Sequence, residues 1–308
     1  MGRTAIDTAS TAGHPEAVAS SVAGAGPWRA AVRRLVHDRS AVAGLIVLAL
    51  IAAVAVAAPL VAPYDPLVQH DIVALKNQAP SLAHPFGTDE FSRDVLTRLM
   101  YGGRVSLAVA FLSVLLAATV GTAYGAIAGY LGGAADTVLM RVVDALLAIP
   151  RVLLLIAVAT LWNGLEITGL VLLLGLTGWF GVSRLVRTLV IGSRDSEFVT
   201  AARALGAGDT RILVQHILPH VVSPVLVAAT LGVGNVIVIE AGLTFLGMGV
   251  QPPHASWGSV FHDGMNAFAS SWWVSFFAGA ALVVTVLAVN LVADGLREAL
   301  NARQLPAR

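Results

Sequence analysis

Three things are scarce in this chain, and each scarcity closes off a class of function. None of the 308 residues is a cysteine, which excludes disulfides, thiol catalysis and cysteine-based metal sites. There is one lysine, Lys76, in the stretch ALKNQ with no glycine-rich loop before it. A Walker A phosphate loop is therefore absent, and any ATP hydrolysis behind this protein's action must take place on another chain. Charge is scarce too: Asp, Glu, Lys and Arg make up 12% of residues, against about a quarter in soluble domains. What fills the space is apolar. Hydrophobic residues reach 57% and the mean hydropathy is +0.81, the composition of an all-α polytopic membrane protein. A net charge of +1 gives no reason to expect nucleic acid as a partner.

Taken in order, the chain opens on a tail to Pro27 rich in Ala, Ser, Thr and Gly, without apolar periodicity and predicted to be disordered. Trp28, Val32, Leu35 and Val36 then share one face of a helix whose other positions carry Arg29, Arg33, Arg34 and Arg39. That pattern predicts a helix lying on an anionic lipid surface. Six spans are expected, at 41–62, 105–130, 137–161, 169–191, 221–246 and 273–291. Between the first two, residues 63–104 form a polar extracytoplasmic segment with a short helix expected from Ser92 to Tyr101. The row Gly121, Gly125, Gly129 lets another helix come close to the second span. The resulting division is 1–40 for the tail and surface helix, 41–62, 63–104, a core of five spans over 105–298, and a C-terminal tail over 299–308. Arginines at 29, 33, 34, 39, 194, 203, 211, 297, 303 and 308 fall on one side, whereas the short loop 163–168 and the connection 247–272 have none. The positive-inside rule puts both termini in the cytoplasm.

One polar island, within 195–219, interrupts the core on the arginine-rich side. Asp195 or Ser196 is suited to cap a helix with Glu197 in its first turn, and Phe198, Ala201, Ala202 and Leu205 recur on one face, beside Arg203. Gly206 suits the left-handed stop, Asp209 suits a second cap, and Pro219, after Leu218, is expected to interrupt the second helix. Two short helices around a glycine turn make a dock for a partner's groove.

The sequence Ala201-Ala202, Gly206, Leu218-Pro219 resembles the EAA loop of ABC-importer permeases, with Thr200 where the family has its first Glu and His216 where it has an Ile. HPFGTDEFSRDVLTRLMYGGRVSL (84–107), EAGLTFLGMGVQPPHASWG (240–258) and NLVADGLREALNAR (290–303) resemble, in that order, the dipeptide/oligopeptide/nickel branch of those permeases, the C-type subunit above all. The resemblance spans about Ala41 to Arg303. It implies the type I importer permease fold and the transport of di- or oligopeptides. It also implies partners: a second permease, one or two kinds of cytoplasmic ATPase that carry ATP and Mg, and an extracytoplasmic solute-binding protein. No cofactor is implied for this chain itself. Nickel chelates, haem and glutathione are handled by relatives of the same family, and an ion-coupled carrier relaying through Asp144, Arg151 and Glu240 is the alternative from a different class.

Two further groups stand out. Asp89, Glu90, Arg93 and Asp94 crowd together before the second span; a solvated helix carrying an i, i+4 pair is one reading, an outer gate or binding-protein contact the other. Arg151, Asn235 and Glu240 fall within spans, where a charge costs about 2.5 to 3.5 kcal/mol in hydrocarbon, so each charge must face protein or a cavity. They either line the solute path or serve the structure. His70, His84, His254 and His262 lie in extracytoplasmic stretches and His216 and His220 bracket the Leu-Pro pair, which leaves the spans without the His or Met repeats of a metal path.

Overall fold

A computed structural model describes residues 27–69, 71–162 and 166–301. The tail to residue 26, His70, residues 163–165 and the last seven residues, with Arg303 and Arg308, lie outside the described residues. The described chain is helical, with a lone antiparallel bridge between Thr88 and Asp94 in place of any sheet. In chain order the helices are α1 (Pro27–His37), α2 (Arg39–Val61), α3 (Val95–Leu131), α4 (Gly133–Leu147), α5 (Arg151–Leu161), α6 (Ile167–Arg194), α7 (Glu197–Ala204), α8 (Asp209–Arg211), α9 (Leu218–Phe245), α10 (Trp257–Asn266) and α11 (Phe268–Asn301). Five are long and apolar enough to cross a bilayer, and α4 with α5 forms a sixth if the bent pair is one span.

Asp38 starts α2: its carboxylate accepts from the Ser40 hydroxyl at 2.6 Å and from the Ser40 N–H at 2.9 Å. Those bonds hold the acid below its usual range. On α1, Val32 and Val36 are exposed and Ala31 is buried, while Leu35 approaches Gly295 of α11.

The centre of the molecule is the pair α3 and α6. A Cβ on Gly121 would lie 2.6 Å from Val182 Cβ, and one on Gly129 would lie 2.8 Å from the Arg187 carbonyl. Gly125 is tighter still against Ser183. The glycine row therefore sets the separation of two backbones, as expected for close helix packing in a membrane. Buried Val109, Ala110, Leu155, Leu170, Leu174 and Ile237 build the main core around it.

Three expectations change. The helix expected from Ser92 to Tyr101 and the span expected from Val105 are one 37-residue helix, so the boundary at 104/105 falls inside α3. Gly102 and Gly103 do not break it; they give room to Ser256 and Trp257, whose atoms sit 3.0 Å from where a Cβ would be. The third span is bent by 78° between α4 and α5. Pro150 marks the break: α4 has ended at Leu147, and Pro150, which cannot donate to a helix, takes ψ 121° before α5 begins. Pro219, in contrast, interrupts nothing. It stands in the first turn of α9, preceded by a π-helical turn over Ile212–Ile217 in which the Leu218 N–H bonds back to Leu213. The wider turn absorbs the missing donor, and Asp209–Phe245 runs as one rod.

A candidate coupling loop and two charged sites

The loop after α6 has two sides. Val199 and Ala202 of α7, with Ile212 and Ile217 of the π-turn, are buried in a cluster with Ala126 of α3, Val186 and Val190 of α6 and Val221 of α9. Leu205, 90% exposed, and Ala201 lie on the outer side, as does Phe198, 40% exposed with its ring 5.0 Å from that of His220 on α9. The expected apolar face is thus split, with Ala202 inward and its three companions outward. Glu197, in the first turn, and Arg203, in the last, follow the helix dipole.

The turn after α7 is a Schellman stop. Gly206 adopts φ +82°, its N–H reaches the Arg203 carbonyl at 3.0 Å, and the Ala207 N–H reaches Ala202 at 3.0 Å. Neither expected cap bonds as such. Ser196 turns its hydroxyl to the Ser193 carbonyl at 2.6 Å. Gly208 precedes α8, and Asp209 instead accepts from the Tyr130 hydroxyl at 2.6 Å, which ties the loop to the end of α3. Leu218 is half-buried and Pro219 exposed where the loop feeds α9.

The acidic cluster before α3 is not a solvated helix. Asp89 and Arg93 meet across a tight reversal in which Ser92 takes φ +62°, and Asp94 caps α3 by accepting from the Thr97 N–H at 2.8 Å. Asp89 accepts from Arg93 Nε at 2.8 Å and Arg98 Nη1 at 2.7 Å, and both arginines also reach Asp263 of α10, at 3.0 and 2.9 Å. His84 pairs with Asp94 at 2.9 Å. Asp89, Asp94 and Arg98 are buried, so they offer no direct surface to a binding protein; Glu90 and Arg93 remain at the rim. Asp263, 165 residues beyond Arg98, carried no local sequence signal of this role.

Within the spans, Arg151 and Glu240 are not partners. Glu240 is 0% exposed and accepts from the Ser106 hydroxyl at 3.1 Å and the Thr244 hydroxyl at 2.9 Å. Ser106 in turn accepts from the Trp257 N–H at 3.2 Å, so the carboxylate joins α3, α9 and α10. That is the structural alternative for Glu240. Arg151 opens onto a different place, a cavity of about 370 Å³ at the α4–α5 break, which Asn235 also lines. Asp144 pairs with Arg184 across α4 and α6, and Asp136 with Arg187 at 2.5 Å. A relay through Asp144, Arg151 and Glu240 therefore has no continuous chain of groups among the described residues.

Apolar helices long enough to span, a bent pair among them, and a polar loop packed on one side and exposed on the other are the build of a multi-pass membrane protein. Residues 121–305 match the binding-protein-dependent transport system inner membrane component family, and residues 26–80 match the N-terminal transmembrane domain of oligopeptide transport permease C. The chain belongs to that family of inner membrane components, and its fold is that of a type I importer permease. A putative peptide permease protein of Brucella suis is 40% identical over 283 residues, covering 91% of this chain and 93% of the relative. The dipeptide transport system permease protein DppC of Alkalihalophilus pseudofirmus is 40% identical over 278 residues, 90% of each chain. A putative peptide transport system permease protein of Brucella abortus is 39% identical over 280 residues, 91% of this chain and 93% of the relative.

Proposed function

We propose that this chain is one of two permease subunits of an ATP-driven importer of di- or oligopeptides, with both termini and the 195–219 loop in the cytoplasm. Separate ATPase chains, of one or two kinds, bind ATP and Mg, and an extracytoplasmic binding protein delivers the solute. The observation that carries the reading is the two-sided loop: Val199, Ala202, Ile212 and Ile217 are packed on the spans while Leu205 stays bare and Phe198, against His220 of α9, stays partly exposed. A motor that grips the bare side moves the packed side, and nucleotide then shifts the population between inward- and outward-facing cavities. The names of the relatives support peptides as the solute.

The test is reconstitution of the complete importer in proteoliposomes. Uptake of a dipeptide should stop on ATP depletion and continue with an uncoupler; the reverse result would belong to an ion-coupled carrier. Gly206→Pro cannot adopt φ +82°. In that variant solute-stimulated ATP hydrolysis should fall to near the unstimulated rate while the complex still assembles, and full stimulation would count against coupling through this loop.

A further inference from the structure

We infer that the cavity at the α4–α5 break receives the free carboxylate of the solute and that Arg151 is its anchor. The inference rests on the peptide-importer reading and adds to it the chemical group recognised and the place where recognition happens.

The lining of the cavity contains one cation, Arg151, and no aspartate or glutamate. The guanidinium gives Nη2 to the Leu174 carbonyl at 3.0 Å, and its buried Nε has no partner among the described residues. A fixed guanidinium with donor capacity left over is matched by a carboxylate, which can take two parallel N–H bonds. The backbone adds to this. Pro150 precedes α5 and gives it no side-chain cap, so the N–H groups of Arg151, Val152 and Leu153 are left at the start of an 11-residue helix with the positive end of its dipole, the Leu154 N–H already bonding to the Pro150 carbonyl. Space is available: a Cβ on Gly181 would meet nothing within 4 Å, while one on Gly178 would already press on Arg151 Nη2 at 3.3 Å. The remaining walls are mostly apolar, Leu147, Ile149 and Leu174 among them, with the Asn235 amide on α9. Such walls accept varied side chains. A carboxyl terminus is the acidic group that peptides of differing sequence share, which suits one fixed cation in an adaptable pocket. The solute's ammonium finds no counter-charge in this lining and must be held elsewhere.

The competing account makes Arg151 a strut for the Leu174 carbonyl, a role indifferent to the solute's terminus. The two separate in proteoliposomes holding the complete importer, with the binding protein saturated by a dipeptide or by its C-terminal amide. Wild type should import the acid faster than the amide. Arg151→Gln should erase the preference, slowing the acid by about tenfold or more, as befits the loss of a charge-assisted pair, while the amide rate holds. Arg151→Lys should restore part of it. Gly181→Leu, which fills the open space and leaves the cation, should slow both forms. An unaltered acid-to-amide ratio in Arg151→Gln, or an equal fall for both, overturns the anchor alone. If Arg151→Gln does not assemble, unchanged uptake in Gly181→Leu overturns it. Wild-type vesicles that import neither form overturn the peptide reading and this inference with it.

Discussion

Arg98 and Arg151 are both withdrawn from solvent, and they differ in company. Arg98, 4% exposed, sits between Asp89 and Asp263, with Arg93 bridging the same two acids. Every charge there has its opposite, and the network fastens the segment before α3 to α10. Arg151 has a carbonyl and an open cavity. Burial alone therefore does not separate these two arginines; what does is that Arg98 meets two carboxylates and Arg151 meets a carbonyl and a cavity.

The comparison can be tested through stability. Arg98→Met leaves Asp89 and Asp263 facing each other with half their partners gone, and breaking a buried pair costs about 3 to 5 kcal/mol. The thermal midpoint of the purified complex should drop accordingly; a variant as stable as wild type would show the outer network to be dispensable. Glu240→Ala should cost less, about 1 to 3 kcal/mol, by stranding the Ser106 and Thr244 hydroxyls. Glu240→Gln, which keeps one of the two acceptor oxygens and sets an NH2 donor opposite the other hydroxyl, should cost less than Glu240→Ala and import solute like wild type. Arg151→Met should have the smallest effect on the midpoint, unchanged or raised, because an unpaired cation in an apolar wall costs about 2.5 to 3.5 kcal/mol to place there. A fall as large as that of Arg98→Met would erase the distinction drawn here.

Local chemistry was legible in the sequence. Gly206 as a stop, the glycine row on α3 and the polar loop between spans follow from spacing and residue type, and the structure has each of them. What could not be read depends on partners distant in the chain. Asp89 and Arg93 look like an ordinary helical pair until Asp263 is brought alongside. Asp209 looks like a cap until Tyr130 takes it. The separation of the 92–101 helix from the second span disappears once Gly102 and Gly103 are seen to make room for Ser256 and Trp257 inside one continuous helix. Pro219 looks like an interruption because a π-turn has no simple sequence sign. The hydroxyls of Ser106 and Thr244 were the available hint that Glu240 serves the interior, since a buried carboxylate needs donors.

The unbroken α3 has a mechanical consequence. At 37 residues it is about 55 Å long, well over the roughly 30 Å of a hydrocarbon core. One end is bolted to α10 through Arg98 and Asp263, and the other is tied to the loop through Tyr130 and Asp209. One unbroken helix thus joins the loop at one end to the charged network at the other, with no turn between them to absorb a displacement.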